Sequence, residues 1–231
     1  MAETLNPEFR QRVDRRLDEL LEKGYRDAPV MRELASSKQV DRELFVRHTI
    51  ETILRIRLGR VANSKCLAHL AMTDPFAAKK WAKYTEEEML HDRLFLKDLV
   101  NLGLNEADVY GTDTFAATKL LQGYLYYTLE HEGPRGVLTK SYFLEYMSDR
   151  TQRAWNENVK RSLGDQAVKG SQAHVNFDDD HDHGTDVWNV LMSLVKSSTD
   201  EERVLYHLGV YYQVFLMYFT ELSTTARTAR G

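Results

Sequence analysis

Between Ala173 and Trp188 the chain reads AHVNFDDDHDHGTDVW, three His and five Asp within sixteen positions. A stretch of this kind can hold a hard cation, form part of a transition-metal site, or be a solvated acidic helix. A calcium loop of the EF-hand type needs oxygen ligands at positions 1, 3 and 5, Gly at 6 and Glu at 12. Starting at Asp178 puts His183 at position 6 and Asn189 at 12; starting at Asp179 puts His at 3 and 5 and Val190 at 12. No register fits calcium. On a helix, residues i, i+4 and i+7 share a stripe about sixty degrees wide. His174, Asp178 and His181 have that spacing, H-x3-D-x2-H. Two imidazoles and a carboxylate on one face suit one or two transition-metal ions. Asp179, Asp180, Asp182 and His183 then point elsewhere and are expected to be solvated.

A metal site of this kind needs partners on other helices. The segment AKYTEEEMLHDRLFLKDL supplies Glu88 and His91, an E-x2-H pair. Di-iron carboxylate bundles project such pairs inward from a helix. Glu87, one turn before His91, is an alternative to Glu88. A third element is Glu145, set among Tyr142, Phe143, Leu144, Tyr146 and Met147. A carboxylate in such a run is costly to bury unless a charge compensates it, and bound metal is one such charge. Glu51 and Glu130 are further candidate carboxylates. The competing reading of each motif is an exposed charged group on an amphipathic helix.

The elements that must position these groups are helices. Apolar residues recur at helical spacing over Pro7–Lys23, Asp41–Ala62, Pro75–Leu102, Asp113–Glu132, Pro134–Leu163, Ala173–Lys196 and Asp200–Arg227, with short turns around Asp27–Leu34 and Glu106–Tyr110. Caps are expected at Thr73 or Asp74, at Asp113, at Ser171 and at Ser198 or Thr199. No stretch alternates with the period of a strand. The fold class is therefore all-α, a single domain over residues 1–231 with about seven helices. Hydrophobic residues make up 42% of the 231, enough for a sizeable core. With a net charge of −4, nothing argues for a nucleic-acid or membrane-surface partner. No apolar run is long enough to cross a bilayer. The N-terminus does not read as a signal peptide, and one Cys leaves no intrachain disulfide. A cytoplasmic location is the default expectation.

The order of Glu and His, a mid-chain Glu in an aromatic helix, then H-x3-D-x2-H, resembles the haem-oxygenase-like non-haem di-iron oxidases and oxygenases. The spacings from His91 to Glu145 and from Glu145 to His174 are also similar to those of the family. The resemblance covers residues 86–187, and the H-x3-D-x2-H helix is its specific part. Some members place the first Glu two turns before the His, where this chain has Tyr84; others use E-x2-H. The resemblance implies a haem-oxygenase-like helical bundle with metal ligands Glu88, His91, Glu145, His174, Asp178 and His181, and Glu145 spanning two ions. It implies two Fe(II) per chain, O2 as co-substrate, and C–H cleavage, C–C cleavage or rearrangement, or N-oxygenation of a small amino-acid-like or amine substrate in natural-product biosynthesis. An external electron donor and a homodimer are compatible with it. Neither nucleic acid nor a membrane is an expected partner.

Arg55, Arg57, Arg60, Arg150 and Arg153 are candidate clamps for a substrate carboxylate. Three other enzyme-type readings compete. An HD-type metal phosphohydrolase would use His91–Asp92 with His69 and Asp186, but leaves H-x3-D-x2-H idle. A haem binder would need a proximal His such as His48. A thiaminase-like enzyme would need an activated Cys, and Cys66 has no evident base. The non-enzymatic alternative is a helical interaction protein with an exposed His/Asp helix.

Overall fold

The computed structural model describes residues 7–36, 39–180 and 183–228. Its α-helices in chain order are α1 (Pro7–Asp27), α2 (Pro29–Ser36), α3 (Arg42–Thr73), α4 (Pro75–Glu87), α5 (His91–Asn101), α6 (Glu106–Gly111), α7 (Ala116–His131), α8 (Arg135–Leu163), α9 (Lys169–Asp180), α10 (His183–Ser193) and α11 (Ser198–Thr228), with 3-10 turns at Glu88–Leu90 and Asp165–Val168. No strand occurs among the described residues. No described helix is long and apolar enough to cross a membrane.

Local chemistry accounts for several boundaries. Asp41 accepts from the Leu44 amide at 2.8 Å and starts α3. Asp74 accepts from Phe76 and Ala77, with Pro75 in the first turn of α4, where its missing N–H costs nothing. Gly164, at φ 90°, ends α8 in a conformation that side chains disfavour.

Several expected boundaries differ, and the cap expected at Asp113 is absent: α7 starts at Ala116 with no side-chain cap of its own. Asp41–Ala62 runs on to Thr73, giving a 32-residue helix about 48 Å long at 1.5 Å per residue. Pro75–Leu102 is interrupted at Glu88–Leu90, where Leu90 leaves helical geometry at φ −119° and ψ 11°. Ala173–Lys196 is two helices, α9 and α10, and the first begins at Lys169. Apolar periodicity continues through both interruptions, so a pattern-based reading joins them.

The main core gathers Trp81 (α4), Leu138 (α8), Trp188 (α10) and Tyr211 (α11), with Phe9 and Leu17 of α1 closing one side. A second cluster joins α2 to the ends of α3, α8 and α11 through Leu34, Leu44, Val159 and Leu222. A third, around Ile53, Leu99 and Val109, holds α5 and α6 against α3. Each such side chain, fully buried, contributes roughly 1.5–3 kcal/mol. Between these clusters α4, α5, α8, α9 and α10 converge, and there the chemically distinctive residues meet.

Candidate metal centre

The junction between α4 and α5 carries Glu88 and His91. In a 3-10 turn, residues i and i+3 eclipse one another. Glu88 and His91 therefore point the same way, with His91 Nδ1 2.9 Å from Glu88 Oε1. The E-x2-H pair expected on a continuous helix is realised across a break. His91 is buried.

α9 is held against α5 by Asp98, two turns along from His91. Its carboxylate accepts from the amides of Gly170 at 2.6 Å and Ser171 at 2.8 Å. The helices approach so closely that a Cβ on Gly170 would stand 1.7 Å from the Leu94 carbonyl oxygen. Only Gly fits there. The expected N-cap at Ser171 is thus replaced by a carboxylate from another helix, a tertiary contact without a local signature. One turn later His174 meets His91, with ring centroids 4.5 Å apart in a T-shaped arrangement, and Phe95 lies at 5.3 Å.

α8 contributes Glu145. The hydroxyl of Tyr84 donates to its Oε1 at 2.6 Å. Burial, then the Glu145 and Glu88 charges, raise the Tyr84 pKa well above its ordinary value, so the phenol stays protonated. Lys140, one turn before Glu145 and also buried, lies 3.4 Å from Asn63 Oδ1. Desolvation lowers its pKa, while Glu88 and Glu145 push it the other way. Lys140 thus stands beside two carboxylates.

His183 corrects the expectation of a solvated bystander. It is 3% exposed, with Nε2 3.2 Å from Glu87 Oε2 and Nδ1 3.7 Å from Glu88 Oε1. Ligand atoms of Glu88, Glu145 and His183 all lie within 4.8 Å of one another. His183 opens a second helix, so the angular phase counted from His174 does not apply to it. A signal was present: Val187 and Leu191, at i+4 and i+8, are fully buried and place His183 on the inner face of α10.

Of the six expected ligands, Glu88, His91, Glu145 and His174 are brought together. The side chain of Asp178 and the whole of His181 lie outside the described residues, as do the side chains of Asp179, Asp180 and Asp182. Glu87, kept as an alternative, faces His183. Glu51 is not at the site. It is fully buried beside Arg47 and accepts from Phe115 N at 2.9 Å and Thr118 Oγ1 at 2.7 Å, fastening α3 to the start of α7. Glu130 is exposed on α7.

The competing motifs fare differently. Asp92 does not share the His91 site; it is ion-paired to Arg60 and accepts from the Tyr110 hydroxyl at 3.1 Å. The HD pair is thereby divided, and Asp186 is exposed. Cys66 is buried and its thiol pKa is pushed up by burial, the opposite of an activated nucleophile. His48 bonds Tyr218 Oη at 2.6 Å, and burial followed by Arg55 lowers its pKa to about 3.

Two spaces flank the centre. A cavity of about 220 Å³ reaches Glu88, Glu145 and His174 and is walled largely by apolar side chains such as Leu121, Leu125, Phe143, Phe215 and Leu216. A polar cleft of about 320 Å³ lies beyond Glu145 and His183, with Arg10, Tyr146, Arg150 and Arg153 around it. Glu145 lines both.

An all-α bundle with a cluster of carboxylates and imidazoles where five helices meet is the class this chain defines. Among solved structures it is similar to a domain of unknown function with a heme oxygenase-like fold from Shewanella denitrificans OS217. That match has TM-score 0.82 and 17% identity and covers 96% of this chain and 94% of the other. A TenA homologue from Pseudomonas syringae pv. tomato DC3000 aligns with TM-score 0.67 and 10% identity over 91% and 92% of the chains. A TenA homologue from Pyrococcus furiosus aligns with TM-score 0.62 and 13% identity over 89% and 98%. No family model and no curated protein matches the chain. The fold is haem-oxygenase-like.

Proposed function

We propose that this protein is a non-haem di-iron enzyme that uses O2 to oxidise or oxygenate a small amino-acid-like or amine substrate. The observation that carries the reading is the convergence of Glu88, His91, Glu145, His174 and His183 from α8, α9, α10 and the α4–α5 junction. Mixed imidazole and carboxylate donors suit non-haem iron, which must be held in both ferrous and ferric states. Three carboxylates, Glu87, Glu88 and Glu145, gather here, and bound metal compensates such a concentration of negative charge. Glu88, His91, Glu145, His174 and His183 would hold the metal, joined by Asp178 and His181 on the resemblance in sequence. When bound, the irons supply the electrons that activate O2.

The chain's own residues set the conditions for that chemistry. Tyr84 orients the Glu145 carboxylate through a charged hydrogen bond. Asp98 and Gly170 fix the approach of α9, and with it His174. The apolar cavity excludes bulk water from one side of the centre and receives the substrate body. The polar cleft on the other side gives a hydrated route for protons to Glu145 and His183.

Anaerobic loading with Fe(II), followed by metal analysis, tests the assignment. About two irons per chain are expected, with a loss in His174→Ala and in Asp178→Ala. Unchanged iron in both variants would remove the site. O2 consumption screened against amino acids and amines then identifies the substrate.

A further inference from the structure

Five arginines are candidates for holding a substrate carboxylate, and the structure separates them. Arg57 is exposed and stacks over the Tyr110 ring at 4.0 Å. Arg60 is paired with Asp92, and Arg150 with Asp18 and Asp149. Arg153 is exposed on the polar cleft. Arg55 alone of the five lines the apolar cavity without an ion pair among the described residues. Its guanidinium lies 5.2 Å from the Phe215 ring centroid and 5.1 Å from that of Tyr218. Nη2 donates to Thr52 Oγ1 at 3.2 Å and the guanidinium also interacts with the Tyr218 hydroxyl, while Nη1 is buried with no acceptor of its own. Gln122, on the same cavity wall, has its amide nitrogen buried and also without an acceptor.

An arginine is always charged at neutral pH and cannot shed its proton to escape a poor environment. Burying such a charge without a counter-ion is expensive. Glu88 and Glu145 line the same cavity, but no described carboxylate makes an ion pair with Arg55, and His48 beside it is held neutral. Arg55 Nη1 and the Gln122 amide, both without an acceptor in one mainly apolar cavity, describe the outline of a missing acceptor. A planar carboxylate fits the outer edge of a guanidinium through two parallel hydrogen bonds. The cavity's 220 Å³ matches about seven waters at roughly 30 Å³ each, the scale of a small organic acid.

We propose that Arg55, assisted by Gln122, is the receptor for the carboxylate of a small organic acid whose apolar body fills the cavity and extends toward Glu88, Glu145 and His174. This substrate class rests on the di-iron reading only for the oxidation of the bound acid; recognition by Arg55 does not require the metal. Placing the acid group at Arg55 leaves the apolar end of the molecule toward the carboxylate–imidazole cluster. Specificity at Arg55 then comes from a charge that only an anion can satisfy.

Calorimetric titration of the metal-free protein with 4-phenylbutyrate and with its neutral amide tests this. The wild type is expected to bind the carboxylate at least about tenfold more tightly than the amide. Arg55→Gln should abolish that preference, and Arg55→Lys should retain part of it, with circular dichroism melts reporting that each variant folds. Equal affinity of the wild type for acid and amide would overturn the proposal, as would no binding of the acid. So would an Arg55→Gln variant that binds the acid within about twofold of wild type. The wild-type comparison needs no variant to fold. Iron content, measured separately, should be unchanged in Arg55→Gln. A chain that binds no iron but discriminates acid from amide would defeat the di-iron assignment and leave the receptor intact.

Discussion

Tyr84 donates its hydroxyl to Glu145 at 2.6 Å, tying α4 to α8 across the centre. Tyr84 stands two turns before His91, where some members of the di-iron family that the sequence resembles carry a Glu. Here that position supplies a donor to a carboxylate, and the Glu beside His91 is Glu88 in the 3-10 turn. Outer hydrogen bonds of this kind typically change metal affinity 10- to 100-fold when removed. Tyr84→Phe is therefore expected to weaken Fe(II) binding by about that factor, beside the stability lost with a hydrogen bond to a charged group, about 1.5–3 kcal/mol. An iron titration of the folded variant checks it, and wild-type affinity would show that the bond does not serve the metal.

His183 carries a prediction that the H-x3-D-x2-H spacing alone would not make. His183→Ala should lower the iron retained after gel filtration, because its imidazole shares a 4.8 Å cluster with Glu88 and Glu145. A solvated bystander could be removed at a cost within about 0.5 kcal/mol and with full iron. Metal analysis beside a melt distinguishes the two.

Glu51 should behave as a structural carboxylate. Removing one partner of a buried ion pair costs roughly 3–5 kcal/mol, and Glu51→Ala also leaves the Phe115 amide and the Thr118 hydroxyl without their acceptor. Urea unfolding should report a loss of about that size, while the folded fraction still takes up iron. Loss of iron with full stability would return Glu51 to the candidate ligands.

Gly170→Ala is expected to disrupt the seating of α9. The added methyl would meet the Leu94 carbonyl at 1.7 Å, and relief requires the helices to part. Such overpacking costs at least about 1–3 kcal/mol. Iron binding should fall with it, since α9 carries His174. Asp98→Asn keeps the shape but weakens acceptance from Gly170 and Ser171, and should show the same effects to a lesser degree. Wild-type melting in Gly170→Ala would contradict the close approach.

Stability should decline on mild acidification, in part through His207. This residue is fully buried, with the Tyr124 hydroxyl 2.8 Å from Nδ1 and Glu132 Oε2 3.6 Å from Nε2, a carboxylate that offsets only part of the burial. Burial, then the charges of Arg203 and Arg135, lower its pKa to about 4. The unfolded chain takes up this proton near pH 6.5. Below that value the unfolded state therefore binds more protons than the folded one. The contribution is complete above about pH 6.5 and is lost toward about pH 4, by up to about 1.4 kcal/mol per pH unit. Urea midpoints between about pH 7 and pH 5 should fall less steeply for His207→Gln than for wild type. Parallel slopes would remove His207 as a contributor.

The all-α class is legible in sequence because helical periodicity is a local property, repeated over many residues and reinforced by caps such as Asp74. The sequence also points to Glu88, His91, Glu145 and His174, which the structure brings together: Glu88 and His91 are one turn apart, and Glu145 stands among aromatic neighbours. What sequence could not resolve lies where one element meets another. Glu51 and Glu145 both read as carboxylates within apolar helices, yet one meets Arg47 and the start of α7 while the other meets Tyr84 and His183. The interruption at Glu88–Leu90, the docking of α9 on Asp98, and the inward turn of His183 depend on contacts between residues far apart in the chain. Periodicity fixes which face of a helix is buried; only the packing of helices decides what that face is buried against.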